Sequence, residues 1–485
     1  MISARIHLIL WTCILCSSIV HAQGEIEALR YSSSAPGWSA RSLGMAGAYS
    51  SVGADISNFY TNPAGLALYK RSSMEMALSQ DNNTSETSYR GEANKNLESK
   101  LSIGNASFVA VRRPRSPRIL NVSYGLAYSK TQNFYENFAI EGKAPSSLMQ
   151  QFAWQAGGIT PDELYNTYPF GAGLAYEVYG IDPDPNDPSE TTYIAATEGE
   201  ATQRKRVQRE GRQNETTVGI AMQYGDNLYF GATGGITGVY FSELSTYSEK
   251  YPDENRVRSL SYDEDLSTFG TGFNARLGAI YRVHERVKIS AAYQTRTITY
   301  FQDYYSTSAS SKVDTLSYYS NSPELIADYI LRSPSQWTLG ASAIIGKLGI
   351  ISIDWAQSDF RSVRMSGTDD NTYDYKTEND LFNTLFRRSN QLRIGIEGRV
   401  HSTYYVRAGY SLQQSPLSDE ALSENSPTQG WSTGIGYRDD HLFADLALSS
   451  QTVASSYYMY DPALVEETRM KNHLVRVLLS VGIRF

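Results

Sequence analysis

The carboxy-terminal residues leave this chain little choice of conformation. Counted back by twos from the end, Phe485, Ile483, Val481, Leu479, Val477 and Val475 form one wholly apolar series. The interleaved series, Arg484, Gly482, Ser480, Leu478 and Arg476, is mostly polar or small. A period of two belongs to a β-strand, because successive Cβ atoms point to opposite faces of the pleat. A long strand that is greasy on one side and wet on the other suits the wall of a membrane barrel, with lipid outside and a polar lumen inside.

The other end is consistent with export. Arg5 precedes an apolar run over residues 8–20, and Val20-His21-Ala22 offers a small-residue cleavage site before Gln23. This pattern predicts a secretory signal peptide over residues 1–22, too short to span a bilayer comfortably. Cys16, near the end of the run, also admits a lipoprotein signal, although Leu15 is a poor residue to precede a lipidated cysteine. Cys13 and Cys16 are the two cysteines of the chain, so the mature protein is expected to have no thiol and no disulfide. A net charge of −8 gives no basic footprint for nucleic acid. Beyond Ala22 no apolar run reaches the ~18 residues that a membrane helix needs. The mean hydropathy of −0.39 is compatible with a membrane barrel, in which only alternate strand residues face lipid. The 36 Tyr and 37 Gly suit aromatic girdles and small lumen-facing positions.

Period-two alternation recurs along the chain. Val218, Ile220, Met222 and Tyr224 alternate with Thr217, Gly219, Ala221 and Gln223, and Leu392, Ile394 and Ile396 alternate with Gln391, Arg393, Gly395 and Glu397. The expected fold is therefore all-β: a transmembrane antiparallel β-barrel of about fourteen strands. The strands are expected near 72–80, 101–111, 121–131, 215–224, 228–240, 268–281, 287–303, 335–345, 348–360, 390–399, 404–413, 430–438, 442–452 and 471–485. Tight turns at 225–227, 283–286, 346–347, 400–403 and 439–441, with a slightly longer one at 114–118, alternate with long polar connections at 81–100, 132–213, 245–264, 304–333, 361–388, 414–429 and 453–470. That rhythm matches short turns at one rim and long loops at the other, and closure follows because lipid cannot satisfy an open sheet edge. A fourteen-strand barrel encloses a substantial hole. Residues 23–71 are rich in Gly, Ala and Ser, yet carry Leu43, Met45, Val52, Ile56, Phe59, Leu66 and Leu68. They are too apolar for a solvated tail and are expected to fold inside the barrel as a hatch, leaving 72–485 as the barrel with long external loops.

With these features in view, the aromatic carboxy-terminus resembles the last strand of bacterial outer-membrane barrels. The stretch Ser42-Leu43-Gly44-Met45-Ala46-Gly47-Ala48, then Gly53-Ala54-Asp55, then Asn62-Pro63-Ala64-Gly65-Leu66-Ala67, resembles the hatch of the FadL family of outer-membrane transporters of long-chain fatty acids and other hydrophobic compounds. The resemblance is specific over about residues 37–80 and topological elsewhere. It implies a cell outer membrane location, passive uptake of fatty acids or aromatic hydrocarbons, no cofactor, and a ligand gate at Asn62, Pro63 and Ala64. It also implies lateral exit at a kink in the third strand, where Gly125 is the candidate. By itself Asn62-Pro63 is only a turn signal.

Three external stretches look helical and apolar on one side. Residues 147–156 offer Leu148, Met149, Phe152 and Trp154. Ser322-Pro323 opens a second, with Leu325, Ile326, Tyr329 and Ile330. A capping box at 377–380 opens a third, with Leu381, Phe382, Leu385 and Phe386. These faces either pack on one another as a lid or form a capture groove for hydrophobic molecules. Arg204, Lys205, Arg206, Arg209 and Arg212 read as a solvated strand extension or as a contact for lipopolysaccharide phosphates. Gly430-Trp431-Ser432-Thr433-Gly434 matches a nucleophile elbow in letters only, since it lies in a strand pattern, and no His/Cys/carboxylate cluster has metal spacing. The chain is expected to be no enzyme, to act as a monomer and to bind no metal. An ungated solute porin and a barrel serving surface protein secretion or attachment remain the alternatives.

Overall fold

The computed structural model describes residues 21–33, 38–197, 199–368, 373–418 and 427–485; the expected signal peptide falls almost entirely outside them. One antiparallel sheet closes on itself through fourteen strand positions. Strands one to six are Ser73–Tyr89, Glu92–Arg112, Ile119–Asn133, Ala201–Tyr224, Leu228–Lys250 and Val257–His284. Strand seven is made of Val287–Gln294 and Ile298–Val313, and strand eight of Leu325–Arg332 and Gln336–Ile345. Strands nine to fourteen are Gly349–Asp359, Arg388–Arg399, Tyr404–Gln413, Thr428–Arg438, Leu442–Tyr457 and Thr468–Arg484. Strand one pairs with strand fourteen from Ser73↔Arg484 to Ser88↔Arg469, which removes both edges.

The alternation decides which face goes where. Met74, Met76 and Leu78, then Val218, Ile220 and Met222, then Leu479, Val481 and Ile483 all point outward and are exposed, while Ser73, Glu75, Ser79 and Ser480 point inward and are buried. Tyr224, Tyr281, Tyr404 and Phe485 lie near the short-turn rim, and Tyr240, Phe269, Tyr300, Trp337 and Trp431 are exposed about a bilayer's depth away, as amphipathic rings at two interfaces do. No described helix is long and apolar enough to cross a membrane.

The sheet continues well past that second girdle, which changes several expectations. Residues 81–100 are not a loop: strands one and two stay paired up to Tyr89↔Glu92, and Arg90-Gly91 turn at φ +48° and +88°. Two central residues at positive φ give the hairpin turn whose twist matches the flanking strands. Short and long connections therefore do not alternate without exception. The expected helix after Ser322-Pro323 is instead strand, Leu325–Arg332, paired with Ile298–Tyr305 of strand seven. The residue before Pro323 avoids the α region, and Ile326, Tyr329 and Ile330 accept strand geometry readily. A helix does form at Lys376–Leu385, but its cap is Tyr375 with no side-chain hydrogen bond, so the expected capping box is not made. The helix at Leu148–Ala156 does have one: Ser147 Oγ accepts from Met149 N, and Gln150 Oε1 accepts from Ser147 N.

Candidate functional site

Residues 38–69 thread across the inward face of the strands near the short-turn rim. They hold no regular element longer than the 3-10 turn Pro63–Leu68, so their backbone groups need partners elsewhere. Inward-facing side chains supply many of them. Asn105 of strand two donates to the Trp38 carbonyl at 2.8 Å, and Asn121 of strand three donates to the carbonyls of Ala67 and Tyr69 at 2.8 and 2.9 Å. Asp354 of strand nine accepts from Tyr49 N and Ser50 N through one oxygen (2.9 and 2.8 Å) and from Ser50 Oγ through the other (2.7 Å). Ser432 of strand twelve accepts from Ala46 N at 2.8 Å, Ser480 of strand fourteen accepts from Ala40 N at 2.9 Å, and Lys288 of strand seven donates to Val52 O at 2.6 Å. Ser432, the central residue of the elbow-like stretch, thus acts as a hydrogen-bond acceptor in a strand.

An ion pair also joins the segment to the wall. Arg41 clamps Glu397 with two bonds at 2.6 and 2.8 Å; Arg407 also donates to Glu397 at 2.6 Å and reaches Asp445 at 2.7 Å, and Arg438 completes the chain to Asp445 at 2.6 Å. Bidentate guanidinium–carboxylate geometry makes this the strongest kind of side-chain contact available. A second buried pair, Arg276 on Glu215 at 2.5 and 2.9 Å, lies beside Tyr60. Sequence reading missed all of these. The signal was present as inward-parity charges on strand patterns, but parity does not say which charges meet.

Asn62, Pro63 and Ala64 lie where the segment meets strands five and six. Asn62 is fully buried; its amide donates to Ser50 O (3.0 Å) and Ala279 O (3.3 Å) and accepts from Ala64 N (3.1 Å), so it caps the Pro63–Leu68 turn and ties it to the wall. The wall is thinned to receive it. A Cβ on Gly278 would lie 1.9 Å from Asn62 Oδ1, and one on Gly231 would lie 2.3 Å from the Pro63 carbonyl carbon.

Gly125 lies where strands two, three and four are regularly paired. Pairing runs in unbroken register through it, to Val109 on one side and Gly219 on the other. An added Cβ at Gly125 would lie 2.3 Å from the Phe108 carbonyl oxygen of strand two and 3.0 Å from the Phe59 ring. Strand three is irregular at two places: near its start, between Ile119↔Tyr224 and Asn121↔Gln223, and higher, at the bulged Thr131 between Lys130↔Asn214 and Gln132↔Gln213. Strand two also parts from strand three above Asn105↔Ser129, although it stays paired with strand one.

A cavity of about 560 Å³ opens above the segment. Its wall is rich in amides, among them Gln294, Gln336, Gln391, Gln413 and Gln451, with Trp38 and Tyr60 as aromatic patches. Thr131, Gln132 and Tyr135 line it beside the parted strands.

The eight expected groove residues do not come together. Leu148, Met149 and Phe152 are buried in an external cluster with Leu164, Leu174 and Val178, while Trp154 stays exposed. Phe382 and Phe386 are buried in a different cluster that includes Tyr31, Phe241 and Phe301, with Leu385 packed at its border. The first cluster is anchored by Glu249, which accepts from Ser147 Oγ, Leu148 N, Tyr247 OH and Tyr251 OH. Burial of this carboxylate outweighs the four donors and raises its pKa above the usual value. The basic run is the upper extension of strand four, as expected, and divides by parity. Lys205 reaches Glu264 at 3.0 Å and Arg209 bridges Glu136 and Glu243 at 2.6 Å on the inside, whereas Arg204, Arg206 and Arg212 point outward.

No family model and no curated protein matches this chain. Solved structures do. A Pseudomonas aeruginosa FadL homologue aligns over 93% of this chain and 99% of its own, with TM-score 0.58 at 13% identity. The P. putida toluene transporter TodX aligns over the same shares with TM-score 0.53 at 14% identity, and the Ralstonia pickettii toluene transporter TbuX with 0.50 at 16%. At such identities the likeness is one of backbone: this chain has the closed outer-membrane barrel fold of those FadL-like channels.

Proposed function

We propose that the protein is a passive outer-membrane channel for small hydrophobic compounds, fatty acids or aromatic hydrocarbons among them. The observation that carries this reading is the bonding of residues 38–69 to strands all round the barrel. It supports a hatch that closes the straight axial path, so that a molecule reaching the cavity needs another way out. The parting of strands two and three beside the cavity, at the level of the bulged Thr131, supports a lateral exit into the membrane there rather than at Gly125. Asn62, Pro63 and Ala64 serve as the hinge of the hatch against strands five and six. Entry runs between the two external clusters, where Trp154, Leu381 and Leu385 keep part of their surface accessible. Arg204, Arg206 and Arg212 face outward above the apolar band and suit lipopolysaccharide phosphates.

Uptake by protein-loaded liposomes tests the reading. Labelled fatty acid and toluene should enter faster than into empty liposomes, with little accompanying ion current; entry no faster than the control would sink it. The amide-rich cavity wall favours a second reading, a porin for polar solutes. Steady ion conductance in planar bilayers together with sugar influx would support that one instead.

A further inference from the structure

Helix His21–Ser32 places one aromatic side chain in a pocket made for such a ring. Tyr31 is 4% exposed. Its ring stacks on Phe301 at 4.7 Å and 27°, and meets the edges of Phe134 and Phe241 at 6.1 and 6.0 Å. Tyr329 stacks on the far face of this group, 5.3 Å from Phe301. The walls are set by strand register. Phe241 and Asp303 flank Thr268 across strands five, six and seven, while Phe301 lies beside Gly270, where a Cβ would come within 2.4 Å of its ring. Without a side chain at position 270 the Phe301 ring lies flat against the wall and leaves a slot.

The closed end of the slot is polar. The Tyr31 hydroxyl interacts with Thr268, and Asp303 interacts with both Thr268 and Tyr329. Yet the Tyr31 hydroxyl, Thr268 Oγ1, Asp303 Oδ1 and the Tyr329 hydroxyl are all buried without a close, well-aligned hydrogen bond. Such groups, with the Glu27 carboxyl of the same helix beside Asp303 and Tyr329, are costly unless a well-placed hydrogen-bonding atom joins them. Aromatic walls with a hydroxyl-seeking floor describe a receptor for a phenol.

We propose that this pocket is a binding site for phenolic compounds, and that Tyr31 is an internal occupant which an incoming phenol displaces. The inference deepens the channel reading above and rests on it for its physiological meaning. It narrows the ligand from hydrophobic molecules in general to hydroxylated aromatic rings. An incoming hydroxyl meets Asp303 and Thr268, the ring takes the place against Phe301, and the helix withdraws together with Arg30, which sits 4.0 Å over Phe241 and 3.6 Å from Glu243. A ring without a hydroxyl leaves the polar floor unsatisfied and competes poorly.

The probe is 4-methylphenol, the side chain of tyrosine as a free molecule, with toluene as its counterpart lacking the hydroxyl. Calorimetry on the purified full-length barrel in detergent should show binding of 4-methylphenol to wild type, accompanied by faster hydrogen exchange in residues 24–33. Tyr31→Ala should bind it at least tenfold more tightly, since the competitor is gone, and Tyr31→Phe should fall between, which also guards against a misfolded alanine variant. Thr268→Val in the Tyr31→Ala background should reduce the preference for 4-methylphenol over toluene, leaving the part due to Asp303. Equal affinity of wild type and Tyr31→Ala, equal binding of toluene and 4-methylphenol by Tyr31→Ala, or no binding by either protein would overturn the proposal. Liposome uptake in the same preparation separates the two claims. Transport of fatty acid or toluene without phenol preference removes the phenol site alone, and phenol binding with no uptake of any probe removes the channel reading while leaving the site.

Discussion

Single residues carry the contact between the lumenal segment and the wall. Asp354 accepts three bonds from two consecutive residues of the segment, and an alanine in its place leaves all three donors without their acceptor. Asp354→Ala is therefore expected to loosen the segment by about 1–3 kcal/mol. Arg41→Ala, which leaves Glu397 its bond from Arg407, should act in the same direction by about 2–3 kcal/mol. Planar-bilayer recording is the check: both variants should show bursts of current that wild type lacks, and silent bilayers would deny the segment its closing role. Glycine positions offer a sharper contrast. Gly278→Ala forces a Cβ onto a side chain that is itself bonded on both sides, at a cost of about 1–3 kcal/mol, whereas Gly234 faces outward with nothing within 4 Å and should accept Ala without loss. Unfolding midpoints of the two variants in detergent should differ accordingly. Asn62 could be picked out from the sequence as a turn former ahead of Pro63. Its partner Gly278 could not, because the two are distant in sequence and meet only when the sheet closes.

At the level of elements, helix Leu148–Ala156 depends on a buried carboxylate from another strand. The Glu249 carboxyl is raised above its usual 4.5 by burial. The unfolded cluster loses this proton first, so the group favours the folded cluster most below about pH 4.5 and progressively less as pH rises through the folded value. Proteolytic nicking around residues 147–180 should thus increase from pH 5 to pH 8 in wild type, relative to a reference site, and Glu249→Gln should flatten that slope. An unchanged slope in Glu249→Gln would assign the effect elsewhere. The helix was legible in the sequence, since its apolar residues lie close together along one short stretch; the Ser147–Gln150 capping box was not read there, although its two residues are only three apart. The strand at Leu325–Arg332 was not, because its apolar residues fit helical spacing as well and only the neighbouring strand seven decides the matter. The capping box at 377–380 shows the reverse failure, a local signal present in letters and not used in space.

At the scale of the whole molecule, strands two and three part above Asn105↔Ser129, where strand three also bulges at Thr131. Deleting Thr131 should restore plain pairing of strand three with strand four and close that region. Uptake of fatty acid into liposomes should then drop by tenfold or more while the variant keeps its β-type circular dichroism; undiminished uptake would move the exit elsewhere. The outward arginines belong to this scale too. If Arg204, Arg206 and Arg212 hold phosphates, reversing all three to Glu should reduce lipopolysaccharide retained through purification, and more so at low salt.

Sequence alone determined the barrel, because period-two alternation, tight turns and an apolar outward series are local properties that any stretch of chain displays by itself. It also marked the apolar segment ahead of the first strand and the Asn62-Pro63 turn, for the same reason. Tertiary structure decided how far the strands extend, which inward charges pair, where the wall parts and which ring fills the slot beside Phe301. Those outcomes depend on register between strands that are remote along the chain, and register is settled only when the cylinder closes and every lumenal side chain finds its neighbour.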